Sequence, residues 1–437
     1  MHPLINLGFW TKQVYVRFCI NPITISFQQQ GHSVFKAFKE RYLVRFWSPM
    51  PAIIALGIMA AYYFGLTGTY WAVTGEFTRW GGHIMQFFGI DTDSLGYFKI
   101  IGLSGTPLDR IDGVMIIGMF AGAFIAASFA NNVKFRLPQS NLRIAQALIG
   151  GIIAGFGARI GMGCNLASFF TGIPQFSLHA WFFTLMTIIG VYLGTKVVLL
   201  PFFRSKAPLQ KVQAQKVIAH NAKREKILLI LGIIVLLVVA IWVAYLMIYG
   251  ITPEGRAIPI LPIAIIFGVG FGFIISRAQI CFTSAFRDLF ITGRGYMARA
   301  VIIGMMVSTI GVFSYVMLGM PPKIMWAAPN AVIGGLLFGF GIVIAGGCEC
   351  GWMYRAVEGQ VHYWIVGIGN VIGSTLVALT WDYYSAPLAT NFPKINLLQS
   401  FGNYGGLVIS YVLLLVFLGW VLWIERKYHA QSKFQKA

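Results

Sequence analysis

The chain has 437 residues, of which 57% are apolar and only 11% charged. A water-soluble domain carries roughly 25% charge, so composition excludes the two or three soluble domains that this length would otherwise imply. The net charge of +20, from 33 Lys and Arg against 13 Asp and Glu, fits basic loops held on the cytoplasmic face of a membrane better than a nucleic-acid surface. The apolar runs are continuous and of spanning length, ~20 residues. They lack the alternation over ~10-residue segments of an outer-membrane barrel. The fold class is an all-α polytopic membrane protein with about ten transmembrane helices.

In chain order, residues 1–48 form an N-terminal cytoplasmic or amphipathic segment. Its first 32 residues include polar Gln28–Gln30 and no cleavable signal. They read as a soluble tail or as an overlong start. Apolar spans follow near 50–71, 112–130, 144–163 and 178–200, making a first membrane repeat over 49–200. A basic linker covers 201–226. Six more spans lie near 227–249, 257–276, 299–319, 331–347, 361–380 and 405–424, within a second repeat over 227–425, and a tail occupies 426–437.

Basic residues cluster before the first span and after the second, fourth and sixth, and again in the tail. With ten spans these all fall on one side, which places the termini and the linker in the cytoplasm. The other side holds only Arg79, Lys99, Arg110, Arg256, Lys323 and Lys394.

Residues 150–164, GGIIAGFGARIGMGC, match residues 334–348, GGLLFGFGIVIAGGC, at a constant offset of 184. The identities include Gly150, Gly151, Gly155, Phe156, Gly157, Gly163 and Cys164. A weaker copy, GVGFGFIISRAQIC, covers 268–281, and VTGEF at 73–77 echoes FTSAF at 282–286 with Ala72 where Cys281 stands. The matched segments are the third and eighth spans, an odd number apart, so the repeat is inverted. Such repeats build many transporters, with the site at the repeat interface. The fifth and tenth spans are extra packing helices. The glycines form small-xxx-small patterns that let helices approach closely.

After each Gly-Cys the apolar run breaks, into NLASFFTGIPQ at 165–175 and ECGWMYRAVEGQ at 349–360. These are too short and polar to span again and read as re-entrant half-helices beginning at the cysteine. Cys281 precedes FTSAFRDLF at 282–290 in the same way. Irregular backbone at this depth survives only where it lines protein or a water-filled cavity. A half-helix N-terminus there offers N–H groups and a positive dipole end to an anion.

A buried lone cysteine is normally a small hydrophobe. Three at related breaks, Cys164, Cys281 and Cys348, point instead to soft, polarisable ligands for a sulphur or selenium anion. Supporting candidates are Arg159, Asn165, Thr283, Glu349 and Cys350. Cys350 is off the repeat, because Leu166 matches it, and Cys19 lies outside the repeats. No zinc spacing or closed metal site is present, and no catalytic residue or cofactor is expected. Arg159, Arg287, Asp288, Glu349, Arg355, Glu358 and Glu76 lie at or near span ends, where they snorkel, face a cavity or pair with one another. His179 and His362 follow the breaks at similar distances and could orient the half-helices. The Gly-rich strings lack GKS/T, so they are not phosphate cradles.

The segments 156–183 (FGARIGMGCNLASFFTGIPQFSLHAWFF), 277–288 (RAQICFTSAFRD) and 346–364 (GGCECGWMYRAVEGQVHYW) resemble the YeeE/YedE family of sulphur transporters. The resemblance covers roughly residues 40–425. It implies uptake of thiosulphate or a related reduced sulphur or selenium anion across a bacterial inner membrane. It also implies an hourglass-shaped protein whose constriction passes the ion along S–H···S contacts, roles that fall on Cys164, Cys281 and Cys348. A small cytoplasmic sulphur-carrier protein resembling TusA is the implied partner. Cys350 and the first 32 residues are departures from the family pattern. The alternative is a membrane sulphurtransferase forming a persulphide at Cys348, at a helix N-terminus that would lower a thiol's pKa. No convincing base or acceptor accompanies it.

Overall fold

The computed structural model describes residues 37–203, 222–252 and 258–434. Residues 1–36, with Cys19, and most of the basic linker lie outside the described residues. Among the described residues, ten helices are long and apolar enough to cross a bilayer, and no strand is formed. Their starts and ends fall within about five residues of the spans expected from hydropathy, except that the last helix runs to Phe434, ten residues past the expected 424.

The first half opens with α1 (Pro49–Thr67), then the shorter α2 (Thr74–Phe87), α3 (Ile111–Phe129) and α4 (Asn141–Ile160). A brief π-helical segment, Asn165–Phe170, separates α4 from α5 (Leu178–Val198). After α6 (Ala222–Tyr249) the second half repeats the order. It runs α7 (Ile260–Ala278), short α8 (Phe282–Thr292), α9 (Tyr296–Met317), α10 (Pro329–Ala345), short α11 (Glu349–Val357) and α12 (Val361–Ser385). Helix α13 (Asn403–Phe434) ends the described chain. At ~1.5 Å per residue, α2, α8 and α11 are all too short to cross a hydrocarbon core of ~30 Å.

The packing obeys the repeat. Helix α3 lies along α7 as α9 lies along α1, and α5 lies along α10 as α12 lies along α4. The short helices follow: α2 packs on α12 as α8 packs on α5. Two contacts map onto themselves, α4 with α10 and α1 with α7. Each contact therefore exchanges with its partner under a pseudo-twofold operation. Helices α6 and α13 have no place in it. They pack on the outside, with only 11% and 28% of their apolar stretches buried against at least 44% for every other span.

Glycine permits the central crossing. A methyl group on Gly157 would fall 2.4 Å from the backbone nitrogen of Phe338. One on its repeat mate Gly341 would fall 2.4 Å from the backbone nitrogen of Ala154. Residues 154 and 338 are themselves repeat mates, so the two helices touch backbone to backbone by the same contact used twice. This is the close approach for which small residues are used in lipid, where no hydrophobic force drives helices together.

Overpacking a tight contact costs roughly 1–3 kcal/mol. Gly157→Leu and Gly341→Leu should each lower the unfolding temperature of the detergent-solubilised protein. Gly419→Leu, where nothing lies within 4 Å, should leave it unchanged. Scanning fluorimetry of the three variants checks this.

Candidate functional site

Three breaks define the centre of the molecule, and each is built alike. A residue in the left-handed region, Met162 (φ 53°), Gln279 (φ 51°) or Gly346 (φ 77°), stands two positions ahead of Cys164, Cys281 or Cys348. The cysteine that follows is extended and is the N-cap residue of the next helical segment. None of the three caps with its own side chain, so the sulphurs are left for other contacts. The counterpart in the first half, α2, is capped by Val73 without a thiol.

The helix ends ahead of two breaks are pinned by histidine. Nε2 of His179 lies 2.6 Å from the Gly161 carbonyl oxygen, and Nε2 of His362 lies 2.8 Å from that of Ala345. A carbonyl only accepts, so each ring carries its proton on Nε2. Residues 161 and 345 are repeat mates, so one device is used twice.

Three thiols converge in the second half. The sulphur of Cys348 is 3.7 Å from that of Cys281 and 3.5 Å from that of Cys350, and it accepts the Phe282 N–H at 3.2 Å. All three cysteines are buried. Their approach depends on Gly351, where a methyl group would fall 2.9 Å from the Cys281 sulphur and 3.3 Å from that of Cys348. Cys350, which the repeat alone sets aside, is thus part of the cluster. Among the described residues Cys164 makes no sulphur–sulphur contact. It lies beside the amides of Leu166 and Ala167 and the side chain of Thr74.

Between Cys164 and the cluster sit Asn165 and Glu349, which are repeat mates. The Glu349 N–H donates to Asn165 Oδ1 at 3.3 Å, and Asn165 Nδ2 donates to the Cys350 sulphur at 3.6 Å. The Glu349 carboxylate accepts from Asn370 Nδ2 at 2.6 Å and from Trp352 Nε1 at 2.8 Å. Thr283, in the first turn of α8, is buried with no partner for its hydroxyl.

A cavity of about 410 Å³ ends beside Cys164, with Gly163, Thr74 and Ala167 in its wall. Its charged lining is Arg79, Arg159, Lys323, Lys394 and Asp112. Arg79 is neutralised by Glu76 and Asp112, each at 3.1 Å. Arg159 is buried, stacks over the Tyr97 ring at 5.1 Å and leaves its Nε without a partner. Lys323 lies over Tyr70 at 5.8 Å and Lys394 over Trp326 at 4.5 Å. Among the described residues none of these last three cations is ion-paired with a side chain, so the cavity is electropositive. Thr74 contributes a buried hydroxyl with no hydrogen-bond partner. The sequence marks Lys323 and Lys394 only as exceptions to the loop asymmetry, and that exception is the signal for the cavity.

The remaining candidates lie apart. Glu76 does not snorkel: it is fully buried and pairs with Arg110 at 2.5 Å as well as Arg79. Arg110 carries that pairing into the 103–105 loop, whose carbonyls it binds. Arg355 donates to the Tyr363 hydroxyl at 3.0 Å, and Glu358 accepts from Gln279 at 3.0 Å. Arg287 and Asp288 pair with each other in a partly exposed position. Among the described residues no cluster of His, Cys, Asp and Glu is arranged to hold a metal ion.

Comparison with known proteins agrees with this architecture. The family model described as sulphur transport matches residues 4–193 and 277–437. The chain belongs to the YeeE/YedE family of sulphur transporters. It is 58% identical over 400 residues to "Probable transporter YedE" of Escherichia coli, covering 92% of this chain and 98% of that one. The protein of the same description from Salmonella typhimurium is 59% identical over 395 residues, 90% of this chain and 96% of that one. "Thiosulfate transporter TsuA" of Escherichia coli is 41% identical over 103 residues, 23% of this chain and 29% of its own. The chain is a multi-pass membrane protein of the transporter class.

Leaving a buried carbonyl unpaired costs about 1–3 kcal/mol. His179→Phe and His362→Phe should therefore each lower the unfolding temperature, by similar amounts because the contacts are equivalent. Thermal unfolding of the two variants in detergent, beside the intact protein, checks this.

Proposed function

We propose that the chain imports thiosulphate, or a related reduced sulphur or selenium anion, across the bacterial inner membrane, with both termini in the cytoplasm. The observation that carries this reading is the sequence of surfaces between the cavity and the thiols. Cations at Arg159, Lys323 and Lys394 attract an anion without a counter-charge of their own. Cys164 then offers the first soft contact, and Cys348, flanked by Cys281 and Cys350, offers the next. The Asn165–Phe170 segment, α8 and α11 act as re-entrant elements that bring their cysteine-capped N-termini to the narrowest point of an hourglass-shaped path.

A soft terminal sulphur accepts S–H···S contacts, while the oxygens of the same ion accept N–H and O–H donors. Thr74 supplies a hydroxyl beside Cys164, and its counterpart Thr283 supplies a backbone N–H beside Cys348 together with a buried hydroxyl. Several weak sites in series let an ion exchange contacts and leave again, which a single tight site would prevent. Small cytoplasmic sulphur carriers resembling TusA are the partners this reading favours. In the alternative, a membrane sulphurtransferase, Cys348 would keep the sulphur as a persulphide. The two separate on whether doubly labelled thiosulphate reaches the cytoplasm with both sulphurs.

The test is growth of a bacterium lacking its other sulphate and thiosulphate importers, with thiosulphate as sole sulphur source. The intact gene should restore growth. Cys164→Ala, Cys281→Ala and Cys348→Ala should abolish it at equal expression. Arg159→Gln should retain growth only at higher thiosulphate, since a hydrogen bond to a charged group is worth about 1.5–3 kcal/mol, or roughly 10–150-fold in affinity. Absence of rescue by well-inserted intact protein would remove thiosulphate as the main substrate and direct the search to selenium and other sulphur anions.

A further inference from the structure

The carboxylate of Glu349 lies at the junction of the two repeats, and the site described above uses only its backbone. It is 1% exposed. Both of its oxygens are held by neutral donors, Asn370 and Trp352. Among the described residues no Lys, Arg or His bonds to it. A charge at this depth is costly, and such groups in membrane proteins mark ion pathways and proton relays. The fold does not require the charge, because the repeat mate at the equivalent position is the neutral amide Asn165.

Among the described residues no neighbouring cation is bonded to the carboxylate. On its own helix, Arg355 is engaged with Tyr363 and the Gly346 carbonyl, and Glu358 with Gln279 and Ser276. Of the elements packed against α11, α7 presents Arg277, which donates to the carbonyls of Leu43 and Val44. Helix α3 presents Asp112, paired with Arg79, and α2 presents Glu76, paired with Arg79 and Arg110. Helix α12 presents His362, bound to the Ala345 carbonyl, and Asp382, which accepts the Gly96 N–H. The remaining titratable groups nearby are thiols: Cys164, on which the carboxylate acts electrostatically, and Cys348 and Cys350, its neighbours in the chain.

An anion passing from Cys164 to Cys348 crosses the Asn165–Glu349 junction, and the carboxylate there acts electrostatically on Cys164. Two like charges side by side in a medium of low dielectric repel strongly, and among the described residues the carboxylate has no cation bonded to it that would cancel its charge. We propose that Glu349 is the coupling residue: it carries one proton inward with each anion. The carboxylate takes a proton from the cavity side as the anion arrives, is neutral while the anion passes, and releases the proton on the cytoplasmic side. No bond of the anion forms or breaks, so one anion and one proton enter unchanged. This rests on the transport reading above and names the energy source for it.

The test uses the full-length protein in liposomes that hold a pH-sensitive dye, with the potential clamped by potassium and valinomycin. Radiolabelled thiosulphate, which is fully ionised at neutral pH, is the probe. The intact protein should acidify the lumen in step with thiosulphate entry. An outside-acid gradient should raise accumulation by up to about tenfold per pH unit for one proton. Glu349→Gln should let thiosulphate equilibrate without acidification and without response to the gradient, and Glu349→Asp should retain both responses. Thiosulphate entry into intact-protein liposomes without acidification would overturn the proposal whatever the variants do, as would equal acidification by Glu349→Gln. Absence of thiosulphate entry with intact protein would instead overturn the transport reading, and the coupling with it.

Discussion

The backbone-to-backbone crossing of α4 and α10 is the constraint on which the rest of the site depends. Each of these helices stops inside the molecule, and each leaves carbonyls and amides unpaired at a depth where water is scarce. Such breaks persist only when protein encloses them. The paired Gly157 and Gly341 contacts lock the two helices antiparallel, so the end of each is covered by the first half of the other, Gly161 against Gly334 and Ala345 against Gly150. His179 and His362 then satisfy the carbonyl at each helix end. Asn165 and Glu349 join the two segments that follow. Larger residues at the crossing would push the two helix backbones apart and uncover each helix end.

Once the breaks are fixed, polar groups of different character are arranged in series. Fixed cations line the cavity, and thiols lie beyond it. Arg79 belongs to the structure rather than to the ligand, because Glu76 and Asp112 consume its charge. Arg159 differs: it is held over Tyr97 by ring and stem contacts and keeps a donor unsatisfied. Hard attraction at the entrance and soft contact inside suit an ion with charged oxygens at one end and a polarisable sulphur at the other. The pseudo-twofold operation is broken where it matters. Thiols stand at Cys281 and Cys350 where the first half has Ala72 and Leu166, and a carboxylate stands at Glu349 where the first half has Asn165. A strictly symmetric path would have no preferred direction in its chemistry, whereas this one collects three thiols and an acid beyond the first thiol.

Much of this was legible from the chain alone, because the membrane enforces simple rules. Spanning helices need long apolar runs, so the ten spans are readable, all but the end of the last within about five residues. Inverted duplication leaves an offset of 184 between glycines and cysteines, so the equivalence of the halves is readable too. The helix starts at Cys164, Cys281 and Cys348 follow from the abrupt loss of hydropathy after each cysteine. Of the partners of Glu76, Arg79 stands three positions on along the same helix, whereas Arg110 is 34 positions away and nothing local links it to Glu76. Cys350 fell outside the repeat, and repeat logic rewards only positions that match.

The sequence by itself determined the fold class, the duplication and the positions of the breaks. Each of those is a local or periodic property, written in composition and spacing and selected by the cost of polar backbone in lipid. Only the tertiary structure decided which groups meet. It separated Cys164 from the other thiols and joined Cys350 to them through the space left by Gly351. It drew Lys323 and Lys394 from distant loops into one cavity wall. It left Glu349 with donors but, among the described residues, no cation bonded to it. Those outcomes depend on distances of a few ångströms between segments far apart in the chain, which are set by how closely the helix backbones pack.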